Sequence, residues 1–451
     1  MSSSRHVLAV NPWIFDFTAY DFWSKPLGLL SAASLARSAF GCRVSYIDCL
    51  DRSHPGLDRP PRTKDDGRGP FPKVPVEKPS ILKEVPRRFS RYGIPVDLFD
   101  RELERVGRPD AVLMTCGMTY WYPGVQLAAE RVRRRYGGVP IVLGGVYATL
   151  CPGHARDHSG ADLVVRGPAE KGLGPALREV LGDGLPDGPD FPDFASLPPP
   201  ALDLVRDKRW LPLLTSRGCP FRCTFCAGPL LYRGFEERTP ESVAEEIAVL
   251  RARFGTRHFA FYDDALLVHK KRRLVPALES VVSRGLSVRF HAPNGLHIRE
   301  IDRPLAGVFR ASGFASLYLS LESSDDDLTR ARTPKASAGD LGKALGALEE
   351  AGYPRQEIKV YLIMGLPGQS ASSVVESVRF VRGLGAVPKL AFFSPIPGTA
   401  EWATLASSGI VEERTDPLLH NKLAFTYLKS GLTREEFEAA RILAGTPGPA
   451  G

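Results

Sequence analysis

Ser216-Arg217-Gly218-Cys219-Pro220-Phe221-Arg222-Cys223-Thr224-Phe225-Cys226 follows directly on a short apolar run, Leu211 to Thr215. Three of the chain's seven cysteines stand in this stretch. Glycine and proline bend the backbone there so that three thiolates turn toward one point. Three soft sulfur ligands suit an iron–sulfur cluster, zinc or copper(I), and three rather than four leave one coordination position without a protein ligand. A structural zinc site normally closes with a fourth ligand, and no Cys or His lies in the thirty residues after Cys226. The open position is where chemistry is expected.

The Cys-x3-Cys-x2-Cys spacing, with Phe225 before the last cysteine, resembles the cluster loop of the radical S-adenosylmethionine (SAM) superfamily. The resemblance implies that Cys219, Cys223 and Cys226 hold a [4Fe–4S] cluster. It further implies that the fourth iron is chelated by the amino and carboxylate groups of SAM, with Phe225 beside the SAM site.

Around this loop the chain alternates short apolar runs with amphipathic stretches. The strands expected are Leu211–Thr215, His258–Tyr262, Leu286–His291, Ser316–Leu321, Ile358–Ile363 and Lys389–Phe393. The helices between them are Glu241–Phe254, Lys270–Arg284, Asp302–Ser312, Gly339–Ala351 and Ser372–Leu384. Six β/α units make a partial TIM-like barrel with its active site at the carboxyl ends of the strands. Those ends carry Asp263-Asp264, His291-Ala292-Pro293-Asn294-Gly295, Glu322-Ser323, Gly365-Leu366-Pro367-Gly368 and Ser394 to Thr399. Singly, each reads as a capped turn or a solvated carboxylate. The family resemblance gives them roles in SAM binding: Asp263 and Asp264 on the amino group, Asn294 near the ribose or carboxylate, Glu322 on the ribose, and the Gly365 turn against adenine.

Upstream the same alternation appears, with strands Val7–Val10, Arg43–Ile47, Ala111–Thr115, Pro140–Leu143 and Asp162–Val165. The helices are Leu27–Ala39, Val96–Val106, Val125–Tyr136 and Lys171–Leu181. This spacing predicts parallel βαβ units in an open, doubly wound, Rossmann-like sheet. The strand ends read Thr115-Cys116-Gly117-Met118-Thr119-Tyr120, Gly144-Gly145-Val146-Tyr147-Ala148-Thr149 and Arg166-Gly167-Pro168-Ala169-Glu170. With the Pro26-Leu27-Gly28 helix start, they resemble the cobalamin-binding domain of the cobalamin-dependent radical SAM family. The resemblance implies cobalamin (B12) contacts from Leu27, Gly28, Thr115, Met118, Tyr120, Gly144, Gly145, Ala148, Thr149, Gly167 and Glu170. The Asp-x-His-x-x-Gly signature of many cobalamin proteins is absent from this segment, which implies cobalamin held without an axial histidine.

The expected organisation is a cobalamin-binding domain over 1–181 with an insertion at 52–95, a Pro/Gly-rich linker over 182–204, the radical SAM barrel over 205–400 and a helical extension over 401–451. The insertion reads as a lid over cobalamin or an anionic substrate, or as a peripheral loop. In the extension, helix signals at Glu401–Ser408 and Thr433–Leu443 precede a disordered-looking Gly445–Gly451.

A net charge of +8 is spread along the chain. Arg131 to Arg135 and Lys270 to Arg273 read as solvated helix faces, and nucleic acid is not the expected partner. No run reaches the ~18 apolar residues of a membrane span, and Met1 to His6 has no apolar h-region, so a cytoplasmic protein is expected. An odd, partly clustered set of cysteines fits a reducing compartment, with Cys42, Cys49, Cys116 and Cys151 as buried free thiols.

The implied function is a cobalamin-dependent radical SAM enzyme. It would methylate an unactivated carbon of a small-molecule substrate through a 5′-deoxyadenosyl radical and methylcobalamin, with flavodoxin or ferredoxin as electron donor. One alternative is a non-methylating rearrangement or cyclisation, with or without cobalamin. The other, a zinc-stabilised nucleic-acid-binding protein, requires a clustering of basic residues that this chain lacks.

Overall fold

Val7-Leu8-Ala9-Val10 is apolar without alternation because a central strand of a parallel sheet is covered on both faces. In the computed structural model, which describes residues 4–182, 185–189, 191–333 and 336–445, this run is strand β1, His6–Asn11, buried along its whole length. Contacts divide the chain into two units, one of residues up to 207 with 413–421, the other of 208–412 with residues from 422 on.

In the first unit β1 is joined by β2 (Arg43–Asp48), β3 (Ala111–Cys116), β4 (Ile141–Gly145) and β5 (Leu163–Val164). The order is β5-β4-β3-β1-β2, with every pairing parallel. It is a doubly wound order whose direction of growth reverses between β1 and β3, and such sheets open a ligand crevice at that point, beyond the carboxyl ends of the strands. Val7, Ala9, Leu113 and Val142 pack on one face with Leu29, Ala33 and Ala36 of helix Leu27–Ser38 and Leu173 and Leu177 of helix Ala169–Leu181. The alternate residues Leu8, Val10, Val112 and Met114 are equally buried and point to the other face.

The 52–95 insertion is neither a structureless loop nor a detached one. Arg52 pairs with Asp21 at 2.9 Å and donates to Thr63 Oγ1 at 3.0 Å. Trp23 Nε1 donates to the carbonyl of Asp66 at 2.8 Å. Strands Lys73–Pro75 and Ser90–Tyr92 join Ile14–Asp16 in an antiparallel ribbon, and Leu82, Val85, Phe89 and Ile94 of the insertion are buried. Because Ile14–Asp16 follows β1 and the insertion follows β2, this elaboration grows from the carboxyl ends of those two strands.

The second unit contains β6 (Trp210–Leu213), β7 (His258–Phe261), β8 (Arg289–His297), β9 (Phe314–Glu322), β10 (Lys359–Met364) and β11 (Val387–Phe392). They form one parallel sheet in sequential order, the partial barrel that six β/α units predict. Helix Pro240–Phe254 is capped by Thr239, whose hydroxyl accepts from Ser242 N, and ends at left-handed Gly255.

Three expectations need correction. The third barrel strand does not stop at His291; it runs on to His297 with register shifts. Lys270 and Arg273 are not a solvated helix face, since they are 8% and 1% exposed. Lys270 pairs with Asp302 at 3.0 Å and Arg273 donates to the carbonyls of Leu266 and Val268, so the helix starts only at Leu274. The described part of the linker packs on the first unit: Ser34 Oγ donates to the Pro199 carbonyl at 2.6 Å, and Leu185, Phe191 and Leu197 pack on that unit's core. The C-terminal extension holds a further helix, Lys422–Leu428, and its residues 413–421 belong to the first unit. Of the stretch expected to be disordered, Gly445 is the last described residue, and 446–451 lie outside the described residues.

Candidate functional site

The cysteine loop leaves the carboxyl end of β6 through a hairpin, Ser216–Gly218 paired antiparallel with Phe235–Glu237. Gly218 has φ +80°, and a Cβ there would stand 2.2 Å from the Gly234 carbonyl oxygen. Only glycine fits that close approach. Arg217 and Glu236 clamp the hairpin through an ion pair at 2.5 Å. Cys219 is half-buried, Cys223 buried and Cys226 exposed. The Cys226 N–H donates to the Cys223 carbonyl at 3.1 Å, and the Gly228 N–H donates to Cys226 Sγ at 3.3 Å.

Two distant segments hold the loop, and neither is legible as a motif. Thr224 donates its N–H to the Arg332 carbonyl at 3.0 Å, and its own carbonyl accepts the N–H of Glu401 at 3.1 Å. The Thr224 hydroxyl donates to Glu401 Oε1 at 2.7 Å. Glu401, 4% exposed, also pairs with Arg332 at 3.0 Å, and Arg332 donates to the Pro367 carbonyl at 2.7 Å. Removing Glu401 takes a charge-assisted hydrogen bond from Thr224 and a partner from Arg332, whose side chain is 22% exposed. Glu401→Ala is therefore expected to destabilise the chain by about 2 kcal/mol, read as a lower denaturant midpoint of the metal-free protein. A midpoint equal to wild type would contradict this placing of Glu401.

Asp263 and Asp264 part company. Asp263 is 3% exposed, and its carboxylate accepts from Thr215 N at 3.1 Å, Thr215 Oγ1 at 2.6 Å and Ser216 Oγ at 2.6 Å. It pairs with Arg273 as well, so this carboxylate braces the base of the loop, in contrast to the expected SAM contact. Asp264 is exposed, and a Cβ built at Gly228 would meet both Cys226 Sγ at 3.5 Å and Asp264 Oδ2 at 3.8 Å. Of the two, Asp264 is the one beside the cysteines.

Asn294 Nδ2 donates to the Tyr262 carbonyl at 3.0 Å, tying β8 to the end of β7. Glu322 is half-buried at the end of β9, next to a register shift, with φ +69°. A non-glycine residue in that region is strained and persists where its surroundings fix it, commonly at binding sites. The Gly365 turn, φ +90°, is braced by Gln369, whose Oε1 accepts from Gly365 N at 2.9 Å and whose Nε2 donates to the Ile363 carbonyl at 3.1 Å. Phe225 packs on the cluster of Ile363, Leu366, Phe393 and Phe425. Phe221 stacks on His297, ring centroids 4.7 Å apart.

In the first unit the loops after β3, β4 and β5 converge. Thr115 and Cys116 pair in register with Gly144 and Gly145. Gly145 has φ +92°, and a Cβ there would come within 2.6 Å of Thr115 Oγ1. Thr149 Oγ1 donates to the Gly145 carbonyl at 2.8 Å and accepts the Gly167 N–H at 3.0 Å. Met118 and Glu170 are half-buried and Gly28 is exposed at the start of its helix beside Leu27. Tyr120 and Ala148 depart from the expectation, with side chains 2% and 0% exposed in the core.

A strap missed in the sequence fixes the loop after β3. Asn421 Nδ2 and Trp121 Nε1 each donate to Asp16 at 2.9 Å. His420 Nδ1 lies 3.1 Å from Thr119 Oγ1, and Tyr122 donates to Asp416 at 3.2 Å. Burial, with a smaller contribution from His154, pushes His420 down to about 3. The unfolded chain takes up a proton near pH 6.5 that the folded chain refuses until about pH 3, so this contribution to stability is lost as pH falls through that window. Between about pH 7.5 and 5 the wild type is expected to lose about 2 kcal/mol more than His420→Gln, measured by denaturant unfolding. Equal losses would remove His420 from the buried set.

Comparison with known proteins matches residues 213–381 to the radical SAM superfamily and 92–175 to the B12 binding domain. An uncharacterized methyltransferase of Pyrococcus horikoshii is 24% identical over 69% of this chain and 73% of its own. The hopanoid C-3 methylase of Methylococcus capsulatus is 23% identical over 72% of this chain and 68% of its own. The anaerobic magnesium-protoporphyrin IX monomethyl ester cyclase of Cereibacter sphaeroides is 23% identical over 62% of this chain, which spans about half (49%) of that enzyme. Among solved structures, the radical S-adenosylmethionine methyltransferase TsrM of Kitasatospora setae, with cobalamin and a [4Fe–4S] cluster bound, has the same fold. Its TM-score is 0.67 at 16% identity, over 98% of this chain and 88% of that one.

Proposed function

The chain is a radical SAM protein that carries a B12 binding domain, and from this we propose that it is a cobalamin-dependent methyltransferase acting on an unactivated carbon of a small molecule. Cys219, Cys223 and Cys226 would hold the [4Fe–4S] cluster. The donor set fits that group: three thiols on one loop, with Thr333 Oγ1 3.3 Å from Cys223 Sγ and a main-chain N–H on that of Cys226. Hydrogen bonds of this kind are a recognised lever on cluster sulfurs. Once bound, the cluster and SAM supply a 5′-deoxyadenosyl radical and cobalamin supplies a transferable methyl group.

The chain's own residues position and enclose. Glu322 would accept from the ribose, Asp264 and Asn294 would face the amino-acid end of SAM, and the Gln369-braced Gly365 turn would lie against adenine. In the first unit Thr115, Gly144, Gly145, Thr149 and Gly167 would line the cobalamin site, with Leu27, Gly28, Met118 and Glu170 at its margins. Electrons would come from a low-potential protein donor such as flavodoxin or ferredoxin in the cytoplasm. Among the described residues no helix is long and apolar enough to cross a membrane.

The observation that carries the reading is the cysteine loop at the carboxyl end of β6, in one chain with a doubly wound sheet whose loops after β3, β4 and β5 meet through Gly145, Thr149 and Gly167. Methylation is preferred because two of the relatives compared are named as methyl-transferring enzymes; the relative named as a cyclase keeps ring closure as a second reading. Anaerobic incubation with SAM and a reductant separates them. Methyl transfer is expected to yield S-adenosylhomocysteine along with 5′-deoxyadenosine. Deoxyadenosine without any S-adenosylhomocysteine would favour cyclisation or rearrangement.

A further inference from the structure

Thr333 reaches the cysteine loop from the far side of the sequence. Its Oγ1 lies 3.3 Å from Cys223 Sγ, and the two residues are 2% and 7% exposed. As a free thiol beside a hydroxyl, either group can donate. A cysteine that ligates iron does so as a thiolate, which has no proton to give, so the hydroxyl becomes the donor.

The hydroxyl is held in place by more than its own side chain. The Thr333 N–H donates to the Thr329 carbonyl at 2.8 Å, and the preceding residue, Arg332, accepts the N–H of Thr224 at 3.0 Å. Glu401 then binds both Arg332 and Thr224. Thr333 and Cys223 are thus fixed to each other by a main-chain bond one residue away on each strand of the contact. Cys226, by contrast, is exposed, and its Sγ accepts the Gly228 N–H at 3.3 Å. A hydrogen bond out of water acts more strongly than one at the surface.

We propose that Thr333 is a positioning residue that donates a hydrogen bond to the cluster thiolate of Cys223 and raises the reduction potential of the cluster. This rests on the cluster reading of the Cys219–Cys226 loop. Reduction adds one electron to the cluster with no proton, placing extra negative charge on its sulfurs. A donor aimed at a ligand sulfur stabilises the reduced form more than the oxidised one.

The test is a redox titration of the anaerobically reconstituted full chain with photoreduced deazaflavin, a low-potential one-electron donor, following the reduced cluster by electron paramagnetic resonance. Thr333→Val keeps the shape without the hydroxyl. The ratio of reduced to oxidised cluster at fixed potential is expected to fall about tenfold, equivalent to about 59 mV for one electron. Thr333→Ser is expected to keep the wild-type midpoint, and Thr333→Ala to repeat the shift of the valine variant. A valine variant with a full complement of iron and the wild-type midpoint overturns the assignment. So does iron loss from both Val and Ala variants with retention in Ser, because the hydroxyl would then serve assembly and not potential. A wild-type chain that takes up no iron overturns the cluster reading itself.

Discussion

Cys223→Ala is expected to abolish both the broad visible absorption of the cluster and the cleavage of SAM. Cys223 is buried and stands next to Thr224 with its bonds to Arg332 and Glu401. Those bonds use the main chain and Thr224, not the thiol, so the loop should keep its path when the sulfur is lost. What would disappear is one of the three proposed ligands, and a cluster already short of a fourth protein ligand cannot spare one. Cobalamin retention should survive, because the loops meeting at Gly145, Thr149 and Gly167 belong to the other unit. A variant that keeps full SAM cleavage would sink the assignment of the loop, whereas joint loss of both cofactors would indicate unfolding.

Glu322→Ala is expected to weaken SAM binding about tenfold to a hundredfold, as the loss of a charge-assisted hydrogen bond does, while iron content stays at the wild-type level. Its left-handed backbone, φ +69°, costs on the order of 1–3 kcal/mol for a residue with a side chain. Glycine would relieve that strain. The Glu322→Gly variant should therefore lose SAM affinity without losing stability, a pairing that a purely structural carboxylate would not give. Equilibrium binding of SAM to the reconstituted protein reads the first effect and denaturant unfolding the second. Unchanged SAM affinity in both variants would remove Glu322 from the site.

Local pattern made the barrel and the cysteine loop readable. Six apolar runs at βα spacing became six strands in sequential order, and Gly218 stands where a Cβ cannot. What stayed hidden was mostly long-range. Thr224 and Glu401 are 177 residues apart, and Cys223 and Thr333 are 110 apart, so no spacing rule could join them. Gln369 looked like an ordinary polar residue after a glycine turn until its amide was seen to satisfy both sides of that turn.

Adjacent residues could mislead as easily as distant ones. Asp263 and Asp264 are indistinguishable as a dipeptide, yet side chains leaving a strand alternate in direction, and one carboxylate went to the core while the other stayed exposed. Lys270 and Arg273 read as a wet helix face because composition says nothing of Asp302 waiting 3.0 Å from the Lys270 ammonium. Residues 413–421 lie between stretches of the second unit in sequence but contribute Asp416, His420 and Asn421 to the first. A tail without a motif gave no sign of this.

The most direct test is anaerobic reconstitution of the full chain with iron, sulfide and hydroxocobalamin, followed by desalting, metal analysis and an absorption spectrum. The two-cofactor account predicts about four irons and about one retained cobalt per chain. About four irons with no cobalt would contradict it, leaving a radical SAM enzyme whose doubly wound domain serves another purpose and withdrawing cobalamin-dependent methyl transfer.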